Sequence, residues 1–481
     1  MNDAVQGRAT IDGARCDADS GAVVEVLDPA DDRLVGTVPA CGPDETRRAI
    51  DAASRAFEPW AGRPARDRAV PLRRLAELMR RDADDLALLM TREQGKPLAE
   101  ARGEVDYAAS FFDVAAEIAP HRPGSIVPAA ATGRRILVTH EPVGVAAIVT
   151  PWNFPLAMIA RKAAPALAAG CTIVVKPDER TPLSAVALAE RIEEAGLPPG
   201  TVNLVTGPPG PIGEAMLGDP RVRAISFTGS TEVGRLLMRG ASRHLARVSL
   251  ELGGHAPFLV FADADLEAAV AAAIACKFRN AGQTCICANR FLVEESIADR
   301  FVEALADGMA SLRCGRGDDP ATSIGPLVDD DAVAKVERHV ADALARGGRL
   351  VRGGRRETIP GLADRFVAPT LIDGLRPDMA MWREETFGPV AAIRRFRGDG
   401  EALAMANDSE YGLAAYFFTR DARRLLRIAE GLRYGIVGAN EAVPSCAEAP
   451  FGGVKQSGFG REGGPWGFEE FTSVKYVSWR I

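Results

Sequence analysis

The residue best suited to covalent chemistry is Cys285, in the loop-like stretch 277–290. An Ala-rich run over 266–278 predicts a helix before it, and residues 290–293 predict a strand after it. A cysteine in a Gly-containing loop with a cation on either side is a candidate nucleophile, because partial exposure and positive charge lower the pKa of a thiol. A packed, inert thiol is the commoner role, so Cys285 needs chemical partners elsewhere in the chain.

Two polar residues at predicted strand ends could supply those partners. Asn153 follows Pro-Trp, where its amide could donate a hydrogen bond to a developing oxyanion, although a turn-forming asparagine is equally consistent with this position. Glu251 precedes two glycines, where a partly desolvated carboxylate can act as a general base and a solvated one cannot. Neither residue is decisive alone.

Two more strand ends have features of a dinucleotide site. Gly229 and Ser230 stand at a strand-to-helix junction, where backbone amides can approach a pyrophosphate at the helix N-terminus. The spacing to Gly234 is not G-x-G-x-x-G, so a simple helix cap stays open. Lys176 and Glu179 follow another strand, where a carboxylate would accept ribose hydroxyls and repel a 2′-phosphate; a solvent-exposed ion pair is the alternative.

The elements around these residues predict a doubly wound α/β fold. Short apolar strands are predicted at 145–149, 172–175, 202–205, 224–227 and 248–250, with helices starting near Leu156, Pro182, Pro211 and Thr231. Strands that alternate with helices form parallel sheets, and ligands bind beyond the carboxyl ends of such strands. A second α/β pattern runs from 255 to about 438, and 471–478 predicts a terminal strand.

Composition excludes several other classes. The net charge of −7 gives no reason to expect nucleic acid, and eight cysteines in 481 residues are not a disulfide framework, so we expect a cytoplasmic protein. The most apolar region, 143–159, is interrupted by Pro151 and Pro155, and we expect no membrane association. Five scattered histidines give no reason to expect a metal site.

Taken in order, the candidate residues resemble the aldehyde dehydrogenase superfamily from about residue 20 to the C-terminus. The resemblance rests on TPWNFP at 150–155, FTGST at 227–231, LELGG at 250–254, GQTC at 282–285, EETFGP at 384–389 and PFGG at 450–453. It implies two doubly wound parallel-sheet domains plus a small β oligomerisation arm. The dinucleotide-binding domain would comprise 1–124 and 142–254, and the catalytic domain 255–455. The hairpin 125–141 and the terminal strand within 456–481 would pair subunits in a homodimer or homotetramer, although an intradomain hairpin stays open.

The resemblance also implies residue roles. Cys285 matches the nucleophile, and Asn153 with the backbone N–H of Cys285 matches the oxyanion hole. Glu251 matches the base that activates the hydrolytic water, and Lys162 matches a lysine that assists proton handling. The cofactor-binding positions would be Trp152, Lys176, Glu179, Gly229, Ser230, Gly234, Glu385 and Phe387. Thiolate attack, hydride loss and thioester hydrolysis would then turn an aldehyde into an acid.

The cofactor and the substrate follow from the same resemblance. NAD is expected because Glu179 would repel a 2′-phosphate and NADP-using relatives tend to lack a carboxylate here; Asp178 adds negative charge, and NADP stays possible. Arg161, Arg279 and Ser445 match the carboxylate-binding set of succinate-semialdehyde dehydrogenases. We therefore expect oxidation of succinate semialdehyde to succinate, within 4-aminobutanoate degradation. Glutarate semialdehyde or broader aliphatic aldehydes are the alternative substrates.

Three questions stay open from the sequence. Cys287 is either a packed thiol or the partner of Cys285 in a reversible, strained disulfide, as the resemblance suggests for some members. The second question is whether the protein is a catalytically silent binding protein. The presence of Cys285, Glu251 and Asn153 together argues against this class. A dehydrogenase that passes its acyl group to coenzyme A would not need the hydrolytic base at Glu251.

Overall fold

The structure, a computed structural model, describes residues 4–480, and its strands form two large sheets and two small ones. The strands are β1 (Val5–Gln6), β2 (Ala9–Ile11), β3 (Ala14–Cys16), β4 (Val23–Leu27), β5 (Leu34–Pro39), β6 (Ser125–Val127), β7 (Arg134–Pro142), β8 (Val145–Val149), β9 (Thr172–Lys176), β10 (Val202–Leu204), β11 (Val222–Thr228), β12 (Arg247–Glu251), β13 (Ala256–Val260), β14 (Ala288–Glu294), β15 (Arg349–Arg352), β16 (Thr370–Asp373), β17 (Val390–Phe396), β18 (Ala414–Phe418), β19 (Ile436–Ala439), β20 (Gly458–Phe459) and β21 (Thr472–Arg480).

Helices cover the faces of the two large sheets. They are α1 (Pro43–Ala61), α2 (Ala65–Arg81), α3 (Ala83–Gln94), α4 (Leu98–Ile118), α5 (Ala157–Ala169), α6 (Leu183–Glu194), α7 (Pro209–Gly218), α8 (Thr231–Ala241), α9 (Leu266–Phe278), α10 (Ala298–Gly308), α11 (Asp330–Ala345), α12 (Ala380–Arg383), α13 (Gly398–Asn407) and α14 (Ala422–Gly431). Helices α2 and α3 are separate, because the chain leaves helical geometry at Asp82.

The first large sheet has the strand order β20-β12-β11-β8-β9-β10-β2-β3. Its central strands β12, β11, β8, β9 and β10 are mutually parallel, which confirms the predicted alternation of strands and helices. Strands β8 and β9 are buried almost throughout, as expected for parallel strands that helices cover on both faces. One side packs against α2 to α6 in an Ala- and Leu-rich core, and the other packs against α1, α7 and α8.

The second large sheet has the order β15-β16-β17-β14-β13-β18-β19 and is parallel except at β15. Its core is the largest apolar cluster of the described residues, with stacked and tilted aromatic rings at Phe258, Phe291 and Phe418. Hydrophobic burial on this scale fixes the ends of the strands, which carry the candidate residues.

The expected arm is a three-stranded antiparallel sheet of the order β21-β7-β6. Strand β21 pairs with β7 of the same chain along its whole length, from Thr472 opposite Pro142 to Arg480 opposite Arg134. The hairpin β6–β7 is confirmed, and its partner strand is the chain's own C-terminus. Residues 458–471 correct the expected boundary, because β20 pairs with β12 in the first large sheet and Trp466–Phe471 packs on α5.

Candidate active site

Cys285 lies where two cavities meet, between the two large sheets. A cavity of about 310 Å³ on one side is lined by Arg161, Arg279 and Ser445 as well as by Cys285. A second cavity of about 280 Å³ is lined by Cys285 together with Trp152, Asn153, Gly229, Ser230, Glu385 and Phe387. The thiol is thus accessible from one cavity that holds the predicted substrate residues and another that holds most of the predicted cofactor residues.

The chain reaches Cys285 through a turn with unusual backbone geometry. Helix α9 begins with an aspartate cap, since the Asp265 carboxylate accepts a hydrogen bond from the N–H of Ala268 (3.1 Å). After the helix, Asn280, Ala281 and Gly282 have φ values of +50°, +53° and +76°. A Cβ on Gly282 would lie 2.2 Å from the carbonyl oxygen of Gly388, so only glycine fits there. The turn brings Cys285 to the amino end of β14.

Asn153 reaches the same point from the carboxyl end of β8. Its side chain is buried, and its Nδ2 donates a hydrogen bond to the carbonyl of Gln283 (3.0 Å), two residues before the cysteine. An amide group has two N–H donors, so this hydrogen bond uses one of them, and Asn153 lines the cofactor-side cavity together with Cys285. This geometry supports the predicted oxyanion donor over a simple turn-forming asparagine.

Glu251 ends β12 as a buried carboxylate that is 2% exposed. Both of its oxygens lack a hydrogen-bond partner among the described residues. Burial raises its pKa well above the ordinary carboxyl value, with the negative charge of Glu462 adding to the effect, and Arg161 and Lys162 opposing it. A carboxylate in this state is suited to take up a proton, which is what a general base requires.

Glu462 was missed from the sequence, although it pairs with two of the predicted residues. Its carboxylate pairs with Arg161 (Nε to Oε2, 2.5 Å) and with the ammonium of Lys162, which also donates to the hydroxyl of Thr228 (2.6 Å). Burial lowers the pKa of Lys162, and Glu462 opposes that shift. The Gly-rich run 460–464 was the only sequence signal for this residue, since its partners lie far away along the chain.

The predicted electropositive surroundings of Cys285 are only partly present. Arg161 and Arg279 lower the thiol pKa, but burial dominates and Glu385 and Glu251 add negative charge, so the pKa is raised to about 12. Arg290, the expected downstream cation, points away and donates to the carbonyls of Met405, Ala406 and Asp408. The expectation of a thiol with a lowered pKa is therefore wrong for this state of the protein.

The first cavity brings together the three residues predicted to bind a carboxylate. The Arg161 guanidinium lies 3.8 Å from the ring centre of Phe451, and its Nη2 lacks a hydrogen-bond partner among residues 4–480. Ser445 shares a short hydrogen bond with the hydroxyl of Tyr107 (2.5 Å), a lining residue that the sequence did not indicate. Arg279 stacks over the ring of Phe154 at 5.4 Å. The walls are otherwise mostly apolar.

The second cavity has two features that suit parts of a dinucleotide. Ser230 caps α8 by accepting a hydrogen bond from the N–H of Val233 (3.3 Å), which places a helix N-terminus at the cavity wall, as a phosphate group requires. The rings of Trp152 and Phe387 meet edge to face at 5.8 Å and form an apolar floor. Burial raises the pKa of Glu385 to about 7.

Three predicted cofactor residues do not belong to the described lining of this cavity. Lys176 and Glu179 pair with each other (3.0 Å) at the end of β9. Gly234 lies on α8 against Leu252, and a Cβ there would come within 2.5 Å of that side chain, so it serves helix–sheet packing.

The charge expected from Asp178 is neutralised. Arg180 pairs with Asp178 (2.9 Å) and with Asp329 (2.9 Å), and it lies over the ring of Trp152 at 5.3 Å. Because Arg180 also lines the cofactor-side cavity, Asp178 no longer strengthens the argument against a 2′-phosphate.

Cys287 is buried, and its thiol contacts the carbonyl of Lys277 (3.4 Å). Cys285 and Cys287 are both free thiols in this structure, and the regulatory disulfide stays a prediction. Among residues 4–480, no group of three His, Cys, Asp or Glu side chains is arranged to hold a metal ion. In the same part of the chain, no helix combines the length and apolarity needed to cross a bilayer.

The sequence profile described as "Aldehyde dehydrogenase family" matches residues 16–477, which is nearly the whole chain. The chain belongs to the aldehyde dehydrogenase family. Members oxidise aldehydes with NAD(P), and the site described above contains the residue types that this chemistry needs. The predicted α/β fold of this family is confirmed, since solved relatives superpose over almost the full length.

Three relatives illustrate the similarity. The chain is 50% identical to the succinate-semialdehyde dehydrogenase [NADP(+)] of Escherichia coli over 98% of this chain and 97% of that protein. It is 49% identical to the glutarate-semialdehyde dehydrogenase of Pseudomonas aeruginosa over 98% of this chain and 97% of that protein. The crystal structure of succinate-semialdehyde dehydrogenase from Burkholderia pseudomallei superposes with a TM-score of 0.97 at 50% identity, covering 99% of this chain and 98% of that one.

The raised pKa of Glu251 predicts a pH-dependent contribution to stability. Because the folded-state pKa lies above the unfolded value, folding binds a proton here, and the resulting stability is lost as the pH rises through the folded value. Glu251→Gln removes this dependence. The thermal midpoint of the variant should therefore rise relative to wild type as the pH increases above about 5, where an ordinary carboxyl group is ionised. Glu303→Gln, an exposed carboxylate on α10, is the control. A constant difference between Glu251→Gln and wild type across that range would contradict the raised pKa.

Proposed function

We propose that this aldehyde dehydrogenase oxidises succinate semialdehyde to succinate, with NAD(P) as the oxidant. The observation that carries the proposal is the guanidinium of Arg279. It lines the cavity beside Cys285, yet within residues 4–480 it makes neither a hydrogen bond nor an ion pair. The Glu100 carboxylate, which lines the same cavity, is near enough to interact with the charge of Arg279 but forms no salt bridge with it. An arginine that no protein carboxylate contacts directly favours a substrate that carries its own negative charge.

Two neighbours support the choice of a carboxylate. Arg161 uses one face of its guanidinium on Glu462, and its Nη2 remains available for the substrate. The paired hydroxyls of Ser445 and Tyr107 can each donate to an oxygen if they turn away from each other. A volume of about 310 Å³ suits a short aldehyde acid.

Glutarate semialdehyde, one methylene longer, is the second candidate substrate. It carries the same distal carboxylate, and the Pseudomonas aeruginosa relative named for it is about as similar as the one named for succinate semialdehyde. One methylene in an apolar cavity discriminates by about 1–3 kcal/mol, so the two substrates differ in rate rather than in kind.

Cys285 supplies the nucleophile in the proposed reaction. Its sulfur adds to the aldehyde carbon, and the thiol proton leaves toward a base; Glu251 is close enough to raise the thiol pKa and is suited to accept that proton. The oxyanion that forms is held by the N–H of Cys285 and by the second amide hydrogen of Asn153. The distal carboxylate, bound at Arg279 and Arg161, fixes the carbonyl relative to the sulfur.

The second half of the reaction releases the acid. NAD(P), when bound, supplies the acceptor for the two electrons that convert the aldehyde carbon to the acyl oxidation level. Glu251 then removes a proton from water, which attacks the Cys285 thioester, releasing succinate and restoring the thiol. Lys162 and Glu462, which interact with the charge of Glu251, can carry the proton onward.

The residues that would hold NAD(P) follow from the second cavity. Ser230 and Gly229, at the N-terminus of α8, would contact phosphate, and Trp152 and Phe387 would flank the ring portion. Glu385 and the pair Lys176–Glu179 would contact the ribose hydroxyls. We infer that NAD is preferred, because Glu179 places a partly exposed carboxylate at the end of β9, although Lys176 and Arg180 reduce its effect.

The assembly and domain assignments are also proposals. We assign 1–124 and 142–254 to dinucleotide binding and 255–455 to catalysis. The arm β6–β7–β21 exposes Ile126, Val474, Tyr476 and Trp479, an apolar surface that a second subunit of a homodimer or homotetramer would cover. A cytoplasmic location is consistent with eight free cysteines.

Arg279→Ala should lower kcat/KM for succinate semialdehyde by about 10- to 100-fold, because a charge-assisted hydrogen bond to the substrate is lost. Activity on propanal, which has no carboxylate, should change little. Arg63→Ala is the matched control, since Arg63 also stacks on an aromatic ring (Trp60, 5.5 Å) but lies outside the cavity. Equal losses on both aldehydes would contradict carboxylate recognition at Arg279.

Cofactor preference is tested by the ratio of kcat/KM for NAD to that for NADP. We expect a ratio above one in the wild type, and a ratio that falls in Glu179→Gln because the repulsion of the 2′-phosphate is removed. Glu193→Gln, an exposed carboxylate on α6, controls for general loss of charge. A wild-type preference for NADP would refute the inference drawn from Glu179.

A further inference from the structure

Asn280 connects the two catalytic loops through its side chain. It is 1% exposed, and its Nδ2 donates to the carbonyls of Asn153 (3.2 Å) and Gln283 (3.3 Å). Its Oδ1 accepts a hydrogen bond from the side chain of Gln94 (3.0 Å), and its backbone N–H donates to the carboxylate of Glu100 (2.8 Å). The donors of this side chain therefore reach the carbonyls of Asn153 and Gln283, and its acceptor is held by Gln94 at the end of α3.

The carbonyl of Gln283 is the point at which these contacts meet. It accepts hydrogen bonds from Nδ2 of Asn280 and from Nδ2 of Asn153. The hydrogen bond from Asn153 uses one amide hydrogen and thereby sets the direction of the other. A displacement of the Gln283 carbonyl would turn the remaining amide hydrogen away from the oxygen of the aldehyde that Cys285 attacks.

The main chain of Asn153 is held from a second side. The ammonium of Lys96 donates to the carbonyl of Asn153 (2.7 Å) and pairs with the buried carboxylate of Glu104 (2.5 Å). Glu104 in turn accepts hydrogen bonds from the N–H groups of Leu156 (3.0 Å) and Ala157 (3.2 Å), at the start of α5. Lys96 and Asn280 thus both donate to the carbonyl of Asn153. Of the two, only Asn280 also donates to the carbonyl of Gln283, two residues before the catalytic cysteine in the chain.

Asn280 has a strained backbone conformation. Its φ of +50° lies in the left-handed region, where asparagine is tolerated better than most residues, and Ala281 follows at +53°. Residues in this region persist where the surrounding structure holds them. Glycine would adopt the same backbone without strain, but it would lose both side-chain donor bonds.

We propose that Asn280 is a positioning residue, which keeps the oxyanion-donating amide of Asn153 aligned with Cys285 by tying the carbonyls of both loops together. The inference rests on the roles given to Asn153 and Cys285 in the proposed function. Asn280 acts through Asn153 and needs no contact with the substrate. Its loss should slow the step in which the oxyanion forms and leave substrate affinity unchanged.

Asn280→Asp keeps the shape and the hydrogen bond from Gln94 but removes the donors to both carbonyls. The pre-steady-state rate of NADH formation should fall about 10- to 100-fold, as expected for a misplaced oxyanion donor, with KM unchanged. The rate at which iodoacetamide alkylates Cys285 should also stay unchanged. Asn280→Gly, which keeps the backbone geometry, should show the same rate loss even if the aspartate variant folds poorly.

Asn203→Asp is the matched control. Asn203 is buried on β10, donates to the carbonyls of Gly200 (2.7 Å) and Ile173 (3.4 Å), and accepts from the N–H of Asp12 (3.0 Å). Its variant should lower the thermal midpoint and leave the rate of NADH formation unchanged. If Asn280→Gly and Asn203→Asp both leave that rate at the wild-type value, Asn280 is purely structural and the proposal is overturned.

A double-mutant comparison separates this inference from the proposed function. Asn153→Ala should slow NADH formation, and adding Asn280→Gly should cause no further loss, because the second residue acts through the first. Multiplicative losses in the double variant would overturn the positioning role and leave the oxyanion role of Asn153 intact. A full rate in Asn153→Ala would instead remove that oxyanion role, and with it the positioning role.

Discussion

The active site depends on a cluster of buried, charged side chains beside the thiol of Cys285. Glu251 and Glu462 lie with Arg161 and Lys162 in a cluster that is almost fully removed from solvent. Such a cluster survives only when opposite charges compensate one another, and removing one member leaves an uncompensated charge that costs several kcal/mol. Here the compensation is incomplete, because both oxygens of Glu251 and Nη2 of Arg161 lack hydrogen-bond partners among residues 4–480. The protein thus holds a base toward Cys285 and a cation toward the substrate cavity.

The two sheets make this arrangement possible. The carboxyl ends of β8 and β12 bring Asn153 and Glu251 to the edge of the first sheet, as parallel topology requires. The amino ends of β14 and β17 bring Cys285 and Glu385 to the facing edge of the second sheet. Neither sheet alone contains a complete site, so the reaction depends on how the two edges meet.

Local sequence patterns predicted the site residues at the strand ends but missed the features that depend on long-range contacts. The strand–helix alternation placed Asn153, Lys176 and Glu251 correctly, because each follows an apolar strand whose period is visible in a few residues. Glu462 was missed, since its importance arises from long-range contacts with Arg161 and Lys162. The thiol pKa was predicted in the wrong direction, because burial cannot be seen in a loop that contains charged residues.

Long-range pairing also explains the errors in the arm and at the cofactor site. Strand β21 can pair with its own chain or with another chain. The position of residue 472 in the folded protein decides between the two, and no local sequence pattern predicts that position. The effect of Asp178 depended on Arg180, whose guanidinium reaches back to it and on to Asp329. The role of Asn280 is of the same kind, since three of its four partners come from distant segments.

The central claim is that Cys285 carries the acyl group and that Glu251 removes it with water. The most direct test mixes Glu251→Gln with succinate semialdehyde and NAD(P), follows NADH and then measures the intact mass of the protein. We predict that about one NADH forms per active site, more slowly than in the wild type because Glu251 also takes up the thiol proton. Turnover then almost stops, and a succinyl group stays on the peptide that contains Cys285. Steady turnover at the wild-type rate with no acyl group on the protein would contradict the account.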